Sequence, residues 1–198
     1  MILHALILGT AAALSGFLMN ALESRPGVEV LYWGFPFGAV LAAYLWVVLS
    51  VRSFAKVLLV SLMAEAAFYF ATLGSMFVGL IAGPRHYKAQ TELNMMSLVA
   101  GTIAGGLVSL GFLAALPWPR ENTRVDSEML LRASGVLLCA AAGGLFGAAG
   151  ALLEDLSPTT TFIFLGGVWQ GGMGVVLAVI ADLLLARSSA DTPAAENA

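Results

Sequence analysis

The sequence predicts an all-α fold, a polytopic membrane helix bundle of six transmembrane helices arranged as three helical hairpins. Three observations carry this reading. Of 198 residues, 60% are hydrophobic and 11% charged, where a soluble domain has about 45–50% and about 25%. The mean hydropathy is +0.92, and a soluble fold of this size would leave much of that apolar surface in water. Finally, all the charged residues except Glu65, Arg132 and Asp182 fall outside six long apolar stretches. Those stretches are apolar all round, as in "AKVLLVSLMAEAAFYFATLG", and lack the alternation of a membrane β-strand.

A bilayer core about 30 Å thick needs roughly 20 apolar residues per helix. The qualifying stretches are 2–22, 30–51, 57–81, 95–116, 129–153 and 162–186, which form a single domain over 1–186. The linkers are punctuated by Pro26-Gly27, by the short "RSFAK" turn, and by Ser157-Pro158. The tail 187–198, "RSSADTPAAENA", is expected to be disordered and cytoplasmic. Ile2 to Leu22 lacks a basic leader and a small-residue cleavage site, so it is expected to stay as a membrane helix.

Basic residues in short loops set orientation. Arg52, Lys56, Arg120, Arg124, Arg132 and Arg187 lie on the side of the termini, against Arg25, Arg85 and Lys88 on the other. The expectation is a cell-membrane protein with both termini cytoplasmic. Trp118 and Tyr87 stand where interfacial aromatics belong. A net charge of −3 offers no basic field for phosphates, so no nucleic-acid partner is expected. The partners expected are the lipid bilayer and either a second copy or another membrane subunit.

Lipid gives helices no hydrophobic reason to associate, so small residues and buried polar groups must do it. Gly101 and Gly105 align on the fourth helix, Gly143, Gly147 and Gly150 on the fifth with Cys139, and Gly166 and Gly174 on the sixth. These are packing faces. Gly38, Gly106 and Gly174 also recur at a spacing of 68. That spacing reflects either a shared packing requirement or a threefold repeat of one hairpin. In the second helix, Pro36 with Gly34 and Gly38 is read either as a tolerated kink or as a hinge.

Glu65 is the most informative residue. It lies deep in the third helix, and Ser61, Tyr69, Thr72, Met76 and Gly79 share its face within an arc of about 80°. An ionisable group at that depth is costly and normally faces the bundle or a wet cavity. Its expected roles are to carry a proton, bind a cation, donate a structural hydrogen bond or join an interhelical ion pair. Gln170 is its expected mid-membrane partner, so Glu65, Ser61, Tyr69, Thr72 and Gln170 form the expected solute or ion path. Asp182, near the end of the sixth helix, is expected to be solvated, His4 to be interfacial, and Arg132 to reach its own interface.

No HExxH, CxxC, GxSxG or phosphate-cradling loop is present, and one cysteine forms no intrachain disulfide. No catalytic residue, metal ligand or cofactor is expected. The functional expectation is a small transporter, or the membrane subunit of one, with Glu65 as proton or cation site. The alternative is a non-catalytic assembly subunit of a membrane complex.

Overall fold

A computed structural model describes residues 1–23, 34–82, 89–118, 125–152 and 158–190. Among these it is all-helical: α1 (Ile2–Glu23), α2 (Gly34–Ala43), α3 (Phe54–Ala82), α4 (Ala89–Ala115), α5 (Val125–Leu152) and α6 (Pro158–Ala190). Four of the helices contain stretches long and apolar enough to cross a membrane, namely Phe54–Val78, Met95–Ala115, Ser127–Ala149 and Gly166–Ala186. The apolar stretches Ile2–Leu18 and Gly34–Val48 are shorter. Most helices extend past their apolar limits; α6 runs to Ala190, so 187–190 continue it, and 191–198 lie outside the described residues.

The second helix departs most from expectation. Its described part opens at Gly34 and passes into a π-helical turn, Tyr44–Val48, instead of continuing to Val51. The Leu49 N–H donates to the Tyr44 carbonyl at 3.1 Å and the Val51 N–H to the Leu45 carbonyl at 2.9 Å. Ser50 then takes a left-handed φ of 54°, which stops the helix and turns the chain into α3. Pro36 occupies the third described position, where a missing N–H costs little. Tyr32, whose carbonyl stands four residues before Pro36, lies outside the described residues.

Each helix packs antiparallel to its chain neighbours, and α1 also packs antiparallel to α6. Met1 and Asp182 therefore meet at one end of the bundle. The same end holds the start of α5, where Gly135 faces Leu113 and Ile180. Leu8, Phe37, Leu41, Val60, Phe112, Met173 and Leu177 fill the core and are almost fully buried. Long apolar side chains such as Leu62, Phe77, Leu130, Leu137 and Leu145 point outward, as expected where the solvent is lipid.

Two kinds of seam hold the helices together. Along α2/α3, α4/α5 and α6/α1, backbone meets backbone. A β-carbon at Gly34 would lie 2.5 Å from the Ala64 carbonyl oxygen, and one at Gly38 would lie 3.0 Å from Ser61 Cα. Gly101 and Gly143 face each other's carbonyls, Gly105 faces that of Cys139, and Gly147 faces that of Ser97. Gly16 lies against Gly166 and Gly167, while a β-carbon at Gly174 would lie 2.8 Å from the Leu8 carbonyl. The surroundings of Gly150 lie outside the described residues.

Along α3/α4 and α5/α6, side chains fill the gap instead: Ile103 against Gly74, Met63 against Gly111, and Phe146 against Gly172. The tightest seams thus join each even helix to the odd helix that follows it, with α6 returning to α1. Gly38, Gly106 and Gly174 obey this rule, facing α3, α5 and α1 respectively.

These contacts separate two glycines of α4. Gly101→Ala drives a methyl into the Gly143 carbonyl and is expected to destabilise by about 1–3 kcal/mol, as overpacking does. Gly106→Ala meets only Ala140 Cβ, at 3.5 Å, and is expected to be neutral or mildly stabilising. Unfolding of the purified protein in mixed detergent micelles checks both; equal effects would contradict the seam assignment.

Candidate functional site

The α2/α3 seam brings the central carboxylate to a helix terminus. Because Gly34 has no side chain, the start of α2 lies directly on Ala64 and Glu65 of α3. The Glu65 carboxyl accepts hydrogen bonds from the backbone N–H groups of Gly34 and Phe35. These are the opening N–H groups of α2 as described. A helix leaves its first four N–H groups without intrahelical acceptors and presents a partial positive charge there. Glu65 answers both needs from a neighbouring helix, yet its Oε2 is buried with no hydrogen-bond partner. An acceptor atom left open at this depth can take a proton or face a cation.

The rest of the polar stripe is divided by burial. Ser61 and Thr72 are half-buried and donate to their own helix, Ser61 to the Val57 carbonyl at 3.3 Å and Thr72 to that of Phe68 at 2.9 Å. Tyr69 is 52% exposed and Met76 59%, so that edge of the stripe faces outward. Tyr69 meets Phe70 edge to face at 6.0 Å between centroids. The surroundings of Gly79 lie outside the described residues.

Gln170 belongs elsewhere. It is buried between α1 and α6, where the Ser15 hydroxyl donates to its Oε1 at 2.5 Å. Among the described residues no hydrogen bond joins Glu65 to Gln170. The side chains of Asn20 and Asn94, and all of His86 and Tyr87, lie outside the described residues. Gly34 and Gly38 do lie beside Glu65 and Ser61, pressed onto α3, with Pro36 between them in the chain.

Three features were not anticipated from the sequence. Trp169, next to Gln170, joins four helices: its Nε1–H donates to the Gly143 carbonyl at 3.0 Å. Its ring meets Phe37 and Phe68 edge to face, at 5.8 and 5.5 Å. The second feature corrects the solvated reading of Asp182. Its side chain is only 14% exposed, with Oδ2 3.0 Å from the Met1 amine and Oδ1 2.5 Å from His4 Nδ1. Tyr44, the first residue of the π-helical turn, packs edge to face on His4 at 6.2 Å, and its buried hydroxyl has no partner.

The third feature is Arg132, which is 6% exposed and does not reach outward. Its guanidinium donates to the carbonyls of Leu113, Leu116 and Pro117 and to Glu128. It also stacks on Trp118 at 4.5 Å. A cation over the last carbonyls of α4 satisfies groups the helix leaves open and complements its dipole. Its signal in the sequence was the Glu128–Arg132 spacing of one turn.

Among the described residues no group of three or more His, Cys, Asp and Glu side chains could hold a metal ion. Comparison with known protein families, curated proteins and solved structures finds no match to this chain.

The Arg132 arrangement yields a direct test. Arg132→Met leaves Glu128 without its partner and three carbonyls without a donor. It is expected to destabilise by about 3 kcal/mol, as for a broken buried pair. Arg132→Lys is expected to recover less than half, since one ammonium cannot span the same acceptors. Equilibrium unfolding in mixed micelles measures both; a neutral Arg132→Met would contradict the buried cap.

Proposed function

We propose that the chain is a multi-pass cell-membrane protein that moves a small solute or ion, or the membrane subunit of such a transporter. Glu65 is its proton or cation site. On this reading all six helices cross the bilayer as three sequential hairpins, with both termini cytoplasmic. The observation that carries the reading is the Glu65 carboxyl, deep in an apolar helix, with one oxygen open while α2's first N–H groups approach the carboxyl. Transporters set intramembrane carboxyls beside backbone N–H groups, because such groups supply charge where lipid offers none. The π-helical turn at Tyr44–Val48 gives α2 a weak point.

The glycine seams support a division of labour in this mechanism. Backbone contact makes α2/α3, α4/α5 and α6/α1 close pairs, and side chains mediate between pairs. Rocking of one pair against another would change access to Glu65 without breaking a backbone seam. The orientation is supported by the end that carries Met1, where Arg52 stacks on Trp46 at 5.4 Å and Arg132 on Trp118. Such pairs suit a cytoplasmic interface. The assembly-subunit alternative relied on free small-residue faces. Gly101, Gly105, Gly143, Gly147, Gly166 and Gly174 are instead occupied within the chain, which favours transport.

Proton flux into pyranine-loaded proteoliposomes, driven by a potassium diffusion potential, tests this reading. The wild-type protein is expected to exceed empty liposomes, and Glu65→Gln to lose at least 90% of the excess. Leu145→Ala, on the outward face of α5, is expected to match wild type. Equal flux for Glu65→Gln and wild type would remove Glu65 from the mechanism.

A further inference from the structure

The far end of α2 from Glu65 carries a second set of ionisable groups, drawn from three helices, and what it implies stands apart from the transport reading. Asp182 of α6 holds the His4 imidazole of α1 at 2.5 Å from Oδ1 and the Met1 amine at 3.0 Å from Oδ2. Tyr44, the first residue of the π-helical turn, is 4% exposed. Its ring lies 6.2 Å from that of His4 and 6.3 Å from that of Phe112. The Tyr44 hydroxyl is buried without a hydrogen-bond partner, yet the Asp182 charge acts on it. Nearby cations are engaged elsewhere, Arg132 by Glu128 and the α4 carbonyls and Arg52 over Trp46. Among the described residues no ion pair joins Lys56 of α3 to this cluster.

An ionised carboxylate only accepts hydrogen bonds, so His4 Nδ1 carries the hydrogen it shares with Asp182. That contact fixes the tautomer and leaves Nε2 to gain or lose a proton. The His4 side chain is 34% exposed and that of Asp182 14%, so protons reach the imidazole from outside while the carboxylate stays within the bundle. A proton needs neither a cavity nor further ligands. Imidazole is also the side chain whose charge ordinarily changes between about pH 5 and 8.

The charge on His4 decides what Asp182 offers Tyr44. With His4 protonated, the carboxylate faces two cations across the α1/α6 seam. With His4 neutral, one of them is gone, and the unpartnered Tyr44 O–H is the donor at hand to replace it. Tyr44 opens the π-helical turn, where its carbonyl accepts from the Leu49 N–H. Such single π turns interrupt α-helices and recur at functional sites, so a shift of Tyr44 acts on backbone that has an α-helical alternative. We propose that His4, Asp182 and Tyr44 form a proton-binding site whose occupancy sets the π-helical turn of α2. A proton on His4 holds the turn; its loss lets the Tyr44 hydroxyl move to Asp182 and loosens the turn.

The chain has two histidines, so the full-length His86→Gln protein carrying 15N-histidine reports His4 alone. In phosphatidylcholine nanodiscs its imidazole nitrogens are followed by NMR as the pH is raised. Hydrogen exchange of the backbone at 44–51 is measured alongside, as protection factors, which remove the intrinsic pH dependence of exchange. His4 is expected to pass from charged to neutral, and protection of 44–51 to fall about fivefold in step with it. Tyr44→Phe, made in the same background, keeps the buried ring and lacks only the hydroxyl. It is expected to leave the His4 titration in place while protection no longer follows it. Asp182→Asn is expected to uncouple the turn from pH as well. A His4 that keeps one charge state throughout, protection indifferent to that state, or a Tyr44→Phe protein whose turn still follows His4 would overturn the proposal.

Discussion

Four of the helices are long and apolar enough to cross a membrane, where a bundle would have to hold together without the hydrophobic effect, and in this chain the helices meet by backbone contact. Acyl chains solvate leucine as well as another helix does, so association depends on dispersion at close range and on buried polar pairs. Glycines at 34, 38, 101, 105, 143, 147 and 174 remove the side chains that would keep helix axes apart. Polar ties then fix the register: Ser15 to Gln170 and His4 to Asp182 across α1/α6, and Trp169 to Gly143 across α5/α6. Large apolar side chains are left on the outside, as Leu137 and Leu145 are, where lipid would solvate them. That inverts the usual arrangement of a soluble core.

Against this background α2 is unusual. It is the shortest described helix, and ionisable groups attend both of its ends. Glu65 meets its first N–H groups from α3. Tyr44, at its π-helical end, stands with His4 and Asp182 from α1 and α6. Carboxyl groups are expensive in a bilayer, and here Glu65 is set against backbone N–H groups of α2 and Asp182 against the chain's N-terminal amine. The helix terminus gains an acceptor and the carboxyl gains donors, so each offsets the other's desolvation. The same compensation leaves oxygen atoms of Glu65 and Tyr44 without partners.

Much of this was legible in the sequence, for physical reasons. The apolar stretches mark the helices because the bilayer sets a minimum length. The rows at Gly101/Gly105 and Gly143/Gly147 mark a seam because nothing but close packing needs four glycines at such spacing. Which face meets which was not legible: periodicity gives a face's composition but not its partner, so the pairing of α6 with α1 came only with the fold. The expectation for Gln170 failed for that reason. A buried amide takes the nearest donor, and that is Ser15, not Glu65. Arg132 and Asp182 were misjudged because nearness to a helix end implied water, whereas α4's carbonyls and the α1 terminus supply closer partners. The π-helical turn has no breaker residue to announce it.

The account stands or falls on the Glu65 carboxyl lying in the membrane interior beside the described start of α2. Carbodiimide labelling followed by peptide mass mapping reads this directly, because dicyclohexylcarbodiimide reaches carboxyls from lipid and a water-soluble carbodiimide reaches them from solution. The account predicts rapid modification of Glu65 by the lipophilic reagent, and little by the aqueous one under conditions that label loop carboxylates. Modification of Glu65 by the aqueous reagent at the rate of a loop carboxylate, or none by the lipophilic one, would contradict it.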